Sequence, residues 1–173
     1  MSQCLIRCWF ILGLSITAFG QCVWAGDPNV VEEPQFLTPQ QSIDKFILAD
    51  GYEINLYASE VDFPLRNPMA MAFDAQGRLW VSNAPTYPHL LPGEPPNDSV
   101  IILSDTDNDG SADASTTFLD GLYIPTGFAI RGDGAYIVDQ PNLIYAEDID
   151  GDGVADTREI VLHGFGSEDS HHS

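Results

Sequence analysis

The stretch Pro125-Thr-Gly-Phe-Ala-Ile-Arg-Gly-Asp-Gly-Ala-Tyr-Ile-Val138 joins two runs of β-branched, aromatic and small apolar residues through a tight Gly-containing turn. Such runs on either side of a short Gly and Asp turn predict a β-hairpin. The stretch Pro68–Val81 has the same layout, with Asp-Ala-Gln-Gly77 as its turn. The chain is therefore built from an internal repeat.

Each copy of this hairpin continues in the same way along the chain. A third predicted strand leads into an Asp-rich loop, and a fourth predicted strand follows the loop. The third strands are Ser99 to Leu103 and Leu143 to Tyr145, and the fourth are Thr116 to Leu119 and Glu159 to Leu162. The two Asp loops recur at roughly 40–45 residues, which is the period of propeller blades. The sequence thus predicts an all-β protein, a partial β-propeller of about two four-stranded blades.

Two blades cannot close a propeller ring, which needs about four to eight. We therefore expect this chain to be an N-terminal fragment of a longer protein. The alternative is a small open sandwich of eight strands, whose sheet edges would be unprotected.

The repeats also set the expected boundaries along the chain. A helix is predicted from Ser42 to Leu48, because Ile43, Phe46 and Ile47 have helical spacing, and residues 52–58 alternate as a half-buried strand does. We assign a signal peptide to residues 1–25, a linker to 26–41, and the short helix with the lead-in strand to 42–66. The first blade is assigned to residues 67–122 and contains a long insertion between Asn83 and Asn97. The second blade is assigned to residues 123–173, which also include the start of a link to a third blade.

The first 25 residues have the layout of a secretory signal. Arg7 is followed by an apolar stretch from Cys8 to Phe19 and by Val23-Trp-Ala25 at the expected cleavage site. We expect an exported protein, periplasmic or at the cell surface, with an uncleaved anchor or a lipoprotein at Cys22 as alternatives. All three cysteines lie in this segment, so the mature chain has no disulfide, thiolate zinc site or haem attachment motif.

The chain is strongly acidic, with a formal net charge of −20. That charge makes nucleic acids and anionic membrane surfaces poor partners. Any membrane attachment is expected only through an uncleaved signal or through regions outside this sequence.

Much of the acidity lies in the two Asp loops, which have the spacing of calcium-binding loops. Calcium takes six to eight oxygen ligands, and a Gly in mid-loop permits the sharp turn. The predicted ligands of the second loop are Asp148, Asp150, Asp152, Val154 through its carbonyl, Asp156 and a bidentate Glu159; those of the first are Asp105, Asp107, Asp109 and Asp113. The first loop has Thr116 in place of the final Glu, so we expect weaker binding there. The alternative is a polar hairpin turn without an ion.

From Phe46 onward the sequence resembles the N-terminal region of the PVC-type (planctomycete-type) membrane-bound dehydrogenases. The motifs that carry this likeness include Gly51-Tyr-Glu-Ile-Asn-Leu-Tyr-Ala-Ser-Glu60, Asn67-Pro-Met-Ala-Met-Ala-Phe-Asp74, Tyr87-Pro88 and Gly164–His171. The family is similar to soluble glucose and sorbosone dehydrogenases, whose propellers use a quinone cofactor, and many members end in a c-type cytochrome domain. The resemblance implies a sugar-like substrate, with haem c only in a missing C-terminal domain.

The topology predicts which face of the propeller carries substrate. The tight Gly turns and the Asp loops share one face, whereas the long insertion and the links between blades lie on the other. Tyr87, His89, His171 and His172 fall on that other face. In dehydrogenases of the type that this sequence resembles, a histidine takes the proton of the substrate hydroxyl. We assign this catalytic role to His171 or His172. The alternative for each is a solvated or packing histidine.

Two functions therefore remain open. One is the N-terminal portion of an exported sugar or alcohol dehydrogenase-like propeller, inactive as this fragment. The other is a non-enzymatic, calcium-stabilised binding module for carbohydrate or protein. A downstream Cys-x-x-Cys-His motif would favour the enzyme.

Overall fold

Short β-strands make up most of the part of the chain that can be described. The computed structural model describes residues 36–88, 90 and 92–166, and from Leu37 onward these belong to one compact unit. That unit contains helix α1 (Pro39–Ile43) and the strands β1 (Pro68–Phe73), β2 (Leu79–Asn83), β3 (Asp98–Ser104), β4 (Ala114–Leu122), β5 (Phe128–Arg131), β6 (Gly134–Asp139), β7 (Asn142–Glu147) and β8 (Thr157–His163). The predicted all-β fold is confirmed.

The strands form two four-stranded antiparallel sheets in chain order, β1-β2-β3-β4 and β5-β6-β7-β8. The register shows that the sheets are repeats of each other. Val81 lies opposite Met71 on one side and Ile101 on the other, and Ile137 lies opposite Phe128 and Ile144 in the same way. Two consecutive meanders with the same register are the partial propeller that the sequence predicts.

The main core lies between the two sheets. β-Branched and aromatic side chains at alternate positions place one apolar row on each face of a strand, and these rows meet here. Trp80 and Phe118 are stacked with their ring centroids 4.5 Å apart, and both are almost fully buried. The buried residues of this cluster are Trp80, Val100, Ile102, Phe118 and Leu122 from the first sheet and Ala135, Ile137, Ile144 and Ala146 from the second.

A smaller core covers the opposite face of the first sheet. Val81, Ile101 and Leu103 are buried there under the segment that precedes β1. This lead-in segment, residues 52–66, contributes Tyr57, Ala58, Phe63 and Leu65. The first sheet is thus covered on one face by the second sheet and partly covered on the other by the lead-in segment.

Two buried carboxylates hold the link between the sheets. Asp98 accepts hydrogen bonds from the backbone N–H of Thr86 at 3.0 Å and of Ile124 at 2.7 Å, and from the Thr86 hydroxyl. Asp139 accepts one from the N–H of Tyr123 at 2.8 Å and forms an ion pair with Arg158. Because buried N–H groups need a partner, these carboxylates fix where the chain crosses from one sheet to the next.

The helix before β1 differs from the prediction, and the predicted lead-in strand has no partner among the described residues. The helix covers Pro39–Ile43 rather than Ser42 to Leu48, because Thr38 and Gln41 form a capping box and Pro39 occupies the first turn. Phe46 and Ile47 lie outside it and are largely exposed, so their spacing did not mark a buried helix face. Residues 52–58 are extended but are assigned to no sheet.

Within the described residues, no helix has the length and apolar character that a membrane span requires.

Candidate metal centre

Both Asp-rich loops lie at the same end of the structure. The first Asp loop, Asp105–Asp113, connects β3 to β4, and the second Asp loop, Asp148–Asp156, connects β7 to β8. In a meander these connections share an end with the β1–β2 and β5–β6 turns, as the topology predicts. Arg78 of the β1–β2 turn lies close enough to Asp148 to favour its charged form.

The two loops fold with the same internal hydrogen bonds. In the first loop, the N–H groups of Gly110, Asp109 and Ser111 donate to Asp105 Oδ2, Asp107 Oδ1 and Asp109 Oδ1 at 2.9, 3.2 and 2.8 Å. In the second loop, Gly153, Asp152 and Val154 donate to Asp148 Oδ2, Asp150 Oδ1 and Asp152 Oδ1 at 2.8, 3.3 and 2.8 Å. In these three bonds, equivalent positions of the two loops make equivalent contacts.

The glycine in the middle of each loop is required by the backbone conformation. Gly110 has φ +91° and Gly153 has φ +88°, in the region that residues with a Cβ rarely adopt. The sharp turn at this glycine keeps each loop compact, so that its acidic side chains lie close to one another. The local sequence therefore explains why the acidic side chains converge rather than spread into solvent.

Three carboxylate oxygens converge in each loop. In the first loop they come from Asp105, Asp107 and Asp109, and within that group the oxygens lie within 4.8 Å of one another. Two oxygens bound to one calcium at 2.3–2.6 Å are at most about 5 Å apart, so this set fits a single ion. In the second loop the converging oxygens come from Asp148, Asp150 and Asp156. The chemistry of the donors, all hard anionic oxygen, also suits calcium better than a transition metal.

The remaining predicted ligands lie outside these groups of three. The Asp113 side chain folds back and accepts hydrogen bonds from the N–H and the hydroxyl of Thr106 at 2.7 and 2.8 Å. Asp152 accepts the N–H of Val154. Glu159 is exposed in β8, opposite Tyr145, so its role as a bidentate ligand stays a prediction.

Hydrogen bonds within the loops favour the charged form of their carboxylates. Partial burial acts to raise the pKa of Asp148, but the N–H groups of Gly153 and Gly151, with help from Arg78, outweigh it and the pKa is lowered. The pKa of Asp113 is lowered mainly by its hydrogen bonds from Thr106. Carboxylates that remain ionised are the form that binds a cation.

Sequence reasoning missed the anchor of the β1–β2 turn. Asp74 accepts hydrogen bonds from the Trp80 indole N–H at 2.9 Å, from the Arg78 N–H at 2.9 Å and from the Arg78 guanidinium at 2.6 Å. Burial acts to raise the pKa of Asp74, and these bonds, led by that of Trp80, lower it below its ordinary value. The Asp-x-x-Gly-Arg spacing was the available signal, since Asp at the first position of a turn accepts N–H groups from the following residues.

The predicted catalytic residues cannot be compared with this geometry. His171 and His172 lie outside the described residues, as does His89. Tyr87 lies in the segment between β2 and β3, at the end of the sheet opposite the Asp loops. The assignment of a catalytic role to His171 or His172 therefore stays a prediction.

Comparison with known proteins places the chain in a family and supports its fold. No curated protein matches it. Two solved structures resemble it, described as the iodide structure and the calcium structure of Trichoderma reesei Carbohydrate-Active Enzymes Family AA12. Each is 23% identical with a TM-score of 0.51 over 69% of this chain. At this identity the likeness concerns the fold alone.

The lengths of the matching regions complete the comparison. The chain spans just over a quarter of those two structures, 28% of one and 27% of the other. A family profile, by contrast, matches residues 38–173, which include both sheets and both Asp loops. The chain therefore belongs to the family described as Domain of unknown function (DUF7133).

Proposed function

We propose that this chain is the N-terminal portion of an exported β-propeller oxidoreductase for a sugar-like alcohol or aldehyde, and that calcium stabilises its two described sheets. The observation that carries the proposal is the repeated Asp loop. Two loops of the same length share one hydrogen-bond pattern, and each directs three carboxylate oxygens at a common point. A polar turn needs no such convergence, whereas a hard divalent cation does.

The calcium role is structural. Each Asp loop joins the third and fourth strands of a sheet, so an ion bound there would fix the position of the fourth strand. It would also remove the repulsion among carboxylates that otherwise opposes the compact loop. One of the two solved structures with a similar fold is described as a calcium structure, which supports this choice of metal.

The oxidoreductase part rests on family likeness. The sequence motifs resemble the PVC-type membrane-bound dehydrogenases, and the structures with a similar fold are described as carbohydrate-active enzymes. A quinone bound in the complete ring would supply the hydride acceptor, and haem c would belong to a further domain. The part of the protein beyond these two sheets would hold both groups.

Within this chain, the candidate for proton transfer is a histidine that the sequence predicts on the face away from the Asp loops. His171 or His172 would accept the hydroxyl proton of the substrate, because imidazole titrates near neutral pH. Glu168 and Asp169 precede them in sequence and would favour the protonated imidazole. Export to the periplasm or cell surface, through residues 1–25, is part of the same proposal.

Calcium titration of the full chain tests the structural part. Calcium should bind and raise the thermal unfolding temperature, and Asp148→Asn combined with Asp105→Asn should abolish both effects. Asp120→Asn is the matched control, since Asp120 is an exposed aspartate of β4 outside both loops. Equal calcium responses of the double variant and the unaltered chain would refute the calcium sites.

Turnover assays on the longest form of the protein made by its source test the enzymatic part. Oxidation of sugars should be detectable with an artificial electron acceptor, and replacing His171 and His172 should abolish it without changing the unfolding temperature. Calcium binding without oxidation of any sugar or alcohol would instead support the binding module.

A further inference from the structure

The two Asp loops dock on chain segments that precede their own sheets. In the second Asp loop, Ala155 N–H donates to the carbonyl of Phe118 in β4 at 2.8 Å. In the first Asp loop, Ala112 N–H donates to the carbonyl of Tyr57 at 2.8 Å. Ala112 and Ala155 occupy the same position in their loops. Tyr57 therefore has the same position relative to the first sheet that Phe118 has relative to the second.

A second pair of contacts gives the same alignment. Gly153 packs against the side chain of Thr116, two residues before Phe118. Gly110 is the equivalent glycine, and its carbonyl accepts a 2.7 Å hydrogen bond from Asn55 Nδ2, two residues before Tyr57. Residues 55–57 therefore correspond to residues 116–118 of the outermost strand of the first sheet.

After residues 55–57 and after residues 116–118, the chain enters the next sheet in the same way. Arg66 N–H donates to Asn83 Oδ1 at 3.2 Å, and Tyr123 N–H donates to Asp139 Oδ1 at 2.8 Å. The residue that follows each of these donors has an unusual positive φ, 45° at Asn67 and 44° at Ile124. The lead-in segment thus enters the first sheet as β4 enters the second.

The lead-in segment nevertheless lacks what β4 has, a neighbouring strand. β4 is paired with β3 along its length. Among the residues that the structure describes, the backbone N–H groups of residues 53–58 make no hydrogen bond, although the segment is extended. Within the described part of the chain, only the carbonyls of Leu56 and Tyr57 in this segment accept hydrogen bonds, both from the first Asp loop. An extended segment with unpaired N–H groups is a template for strand addition.

A cavity lies where the side chains of an added sheet would pack. It has a volume of about 550 Å³ and is lined mainly by apolar residues, including Tyr57, Met71, Val81 and Leu103. By register, Met71 corresponds to Phe128. Tyr57 corresponds to Phe118 through the hydrogen bonds from Ala112 and Ala155. Between the two sheets the equivalent space is filled by Trp80, whose ring lies 4.5 Å from Phe118 and 6.5 Å from Phe128.

We propose that residues 53–58 are the fourth strand of a further propeller blade, whose first three strands come from a later part of the same longer polypeptide. The third strand of that blade pairs with the free edge of residues 53–58. An apolar side chain of its second strand fills the cavity between Tyr57 and Met71, as Trp80 does between the described sheets. The N-terminal segment then joins the last blade to the first and closes the ring.

A second copy of the chain does not supply these strands from its described part. Both sheets in residues 68–163 already have four strands, so neither offers a three-stranded sheet that lacks its outermost strand. The two solved structures with a similar fold are more than three times as long as the region they share with this chain. A later blade of a longer polypeptide is therefore the occupant that fits.

The test supplies the missing strands from the chain's own repeat. A second copy of residues 123–156, which contain three strands and an Asp loop, is inserted between Tyr52 and Glu53 of the full chain. This junction aligns Asn55 and Tyr57 with the positions of Thr116 and Phe118. Hydrogen exchange of the residue 53–58 amides, followed by mass spectrometry, should slow by about 100-fold as they join a sheet.

The matched control inserts the same copy one residue later, between Glu53 and Ile54. A shift of one residue turns every side chain to the other face of the strand, so protection should be absent. Unchanged exchange of residues 53–58 in the first insertion, with β2 and β3 still protected, would overturn the proposal. Equal protection in both insertions would overturn it too, because pairing would not depend on register.

A grafted strand covers the case in which the inserted copy does not fold. Residues 54–58 replace residues 115–119 in the full chain, and the control graft uses residues 55–59. The first graft should keep the β3 amides protected and the second should lose that protection, and equal behaviour of the two would overturn the proposal. The unaltered chain should sediment as a monomer, since a dimer with protected residues 53–58 would show that a second copy is the occupant.

Discussion

The two sheets have the same register, yet their surroundings differ. The first packs against the second sheet on one face and is partly covered by the lead-in segment on the other. The second is buried on one face, and its other face leaves Tyr136, Val138, Leu143 and Tyr145 half exposed. The comparison shows that the repeated sequence determines the strands, whereas the neighbouring sheet determines their burial, as in other repeat proteins.

The outermost strands show the difference most clearly. Phe118 of β4 is fully buried beneath the second sheet, whereas every residue of β8 is exposed. Isoleucine, valine and leucine in β8 are apolar residues without a covering layer. A further sheet on this side would bury them, as the second sheet buries β4.

The largest effect is expected where the two sheets meet. Phe118→Ala should lower the free energy of unfolding by about 3–5 kcal/mol, because it removes a buried ring from the core and leaves a cavity beside Trp80. Tyr57→Ala, the equivalent change under the partly covered face, should cost roughly half as much. Denaturant unfolding followed by tryptophan fluorescence measures both, and equal losses would contradict the difference in burial.

A somewhat smaller effect is expected at the crossing between the sheets. Asp98→Ala should lower the free energy of unfolding by about 2–3 kcal/mol, because it leaves the buried N–H of Ile124 without its acceptor. Asp139→Ala should cost less, since Asp139 is slightly more exposed. Thermal unfolding monitored by circular dichroism ranks the two, and a larger loss for Asp139→Ala would contradict this account of the link.

Much of this fold could be predicted from the sequence, because the repeat is visible in short motifs. The strands on either side of Gly77 and Gly134 and the position of both Asp loops follow from turn residues and alternation. The helix boundaries did not follow, since Thr38 and Gln41 decide them through a cap while the apolar spacing of Phe46 and Ile47 suggested another register. The lead-in segment was predicted to be a strand, but it is unpaired among the described residues. Strand pairing depends on a distant partner that local sequence does not reveal.

The metal groups were predictable in part for the same reason. Asp105, Asp107, Asp109, Asp148 and Asp150 follow from loop spacing alone. That the third member is Asp109 in the first group and Asp156 in the second did not, since Asp113 and Asp156 accept the equivalent N–H at the start of their loops and loop spacing does not separate them. Asp74 was missed because its role comes from Trp80, a partner across the turn.

A moderate, pH-dependent effect is expected at the β1–β2 turn, which belongs to the first sheet. The pKa of Asp74 lies below its ordinary value of 3.8, so its contribution to stability is complete above that value and is lost as the pH falls through the lower, folded-state pKa. Asp74→Asn should therefore cost about 1–2 kcal/mol at neutral pH and progressively less below about pH 4. Unfolding titrations between pH 2 and pH 7 check this, and a pH-independent difference would contradict it.

The smallest effect is expected in the uncovered outer strand. Val161→Ala in β8 should change the free energy of unfolding by no more than about 0.5 kcal/mol, because Val161 is exposed in an edge strand. Leu162→Ala tests a second exposed position of the same strand. A loss comparable to that of Phe118→Ala would mean that β8 is covered by another part of the protein.

The central claim is that two equivalent Asp loops bind calcium and brace successive sheets of a propeller. A crystal structure of the full chain grown with calcium, with anomalous differences to locate the ions, tests it most directly. The account predicts one ion in each loop, coordinated by Asp105, Asp107 and Asp109 in the first and by Asp148, Asp150 and Asp156 in the second. Two ordered loops without ions at millimolar calcium would contradict it.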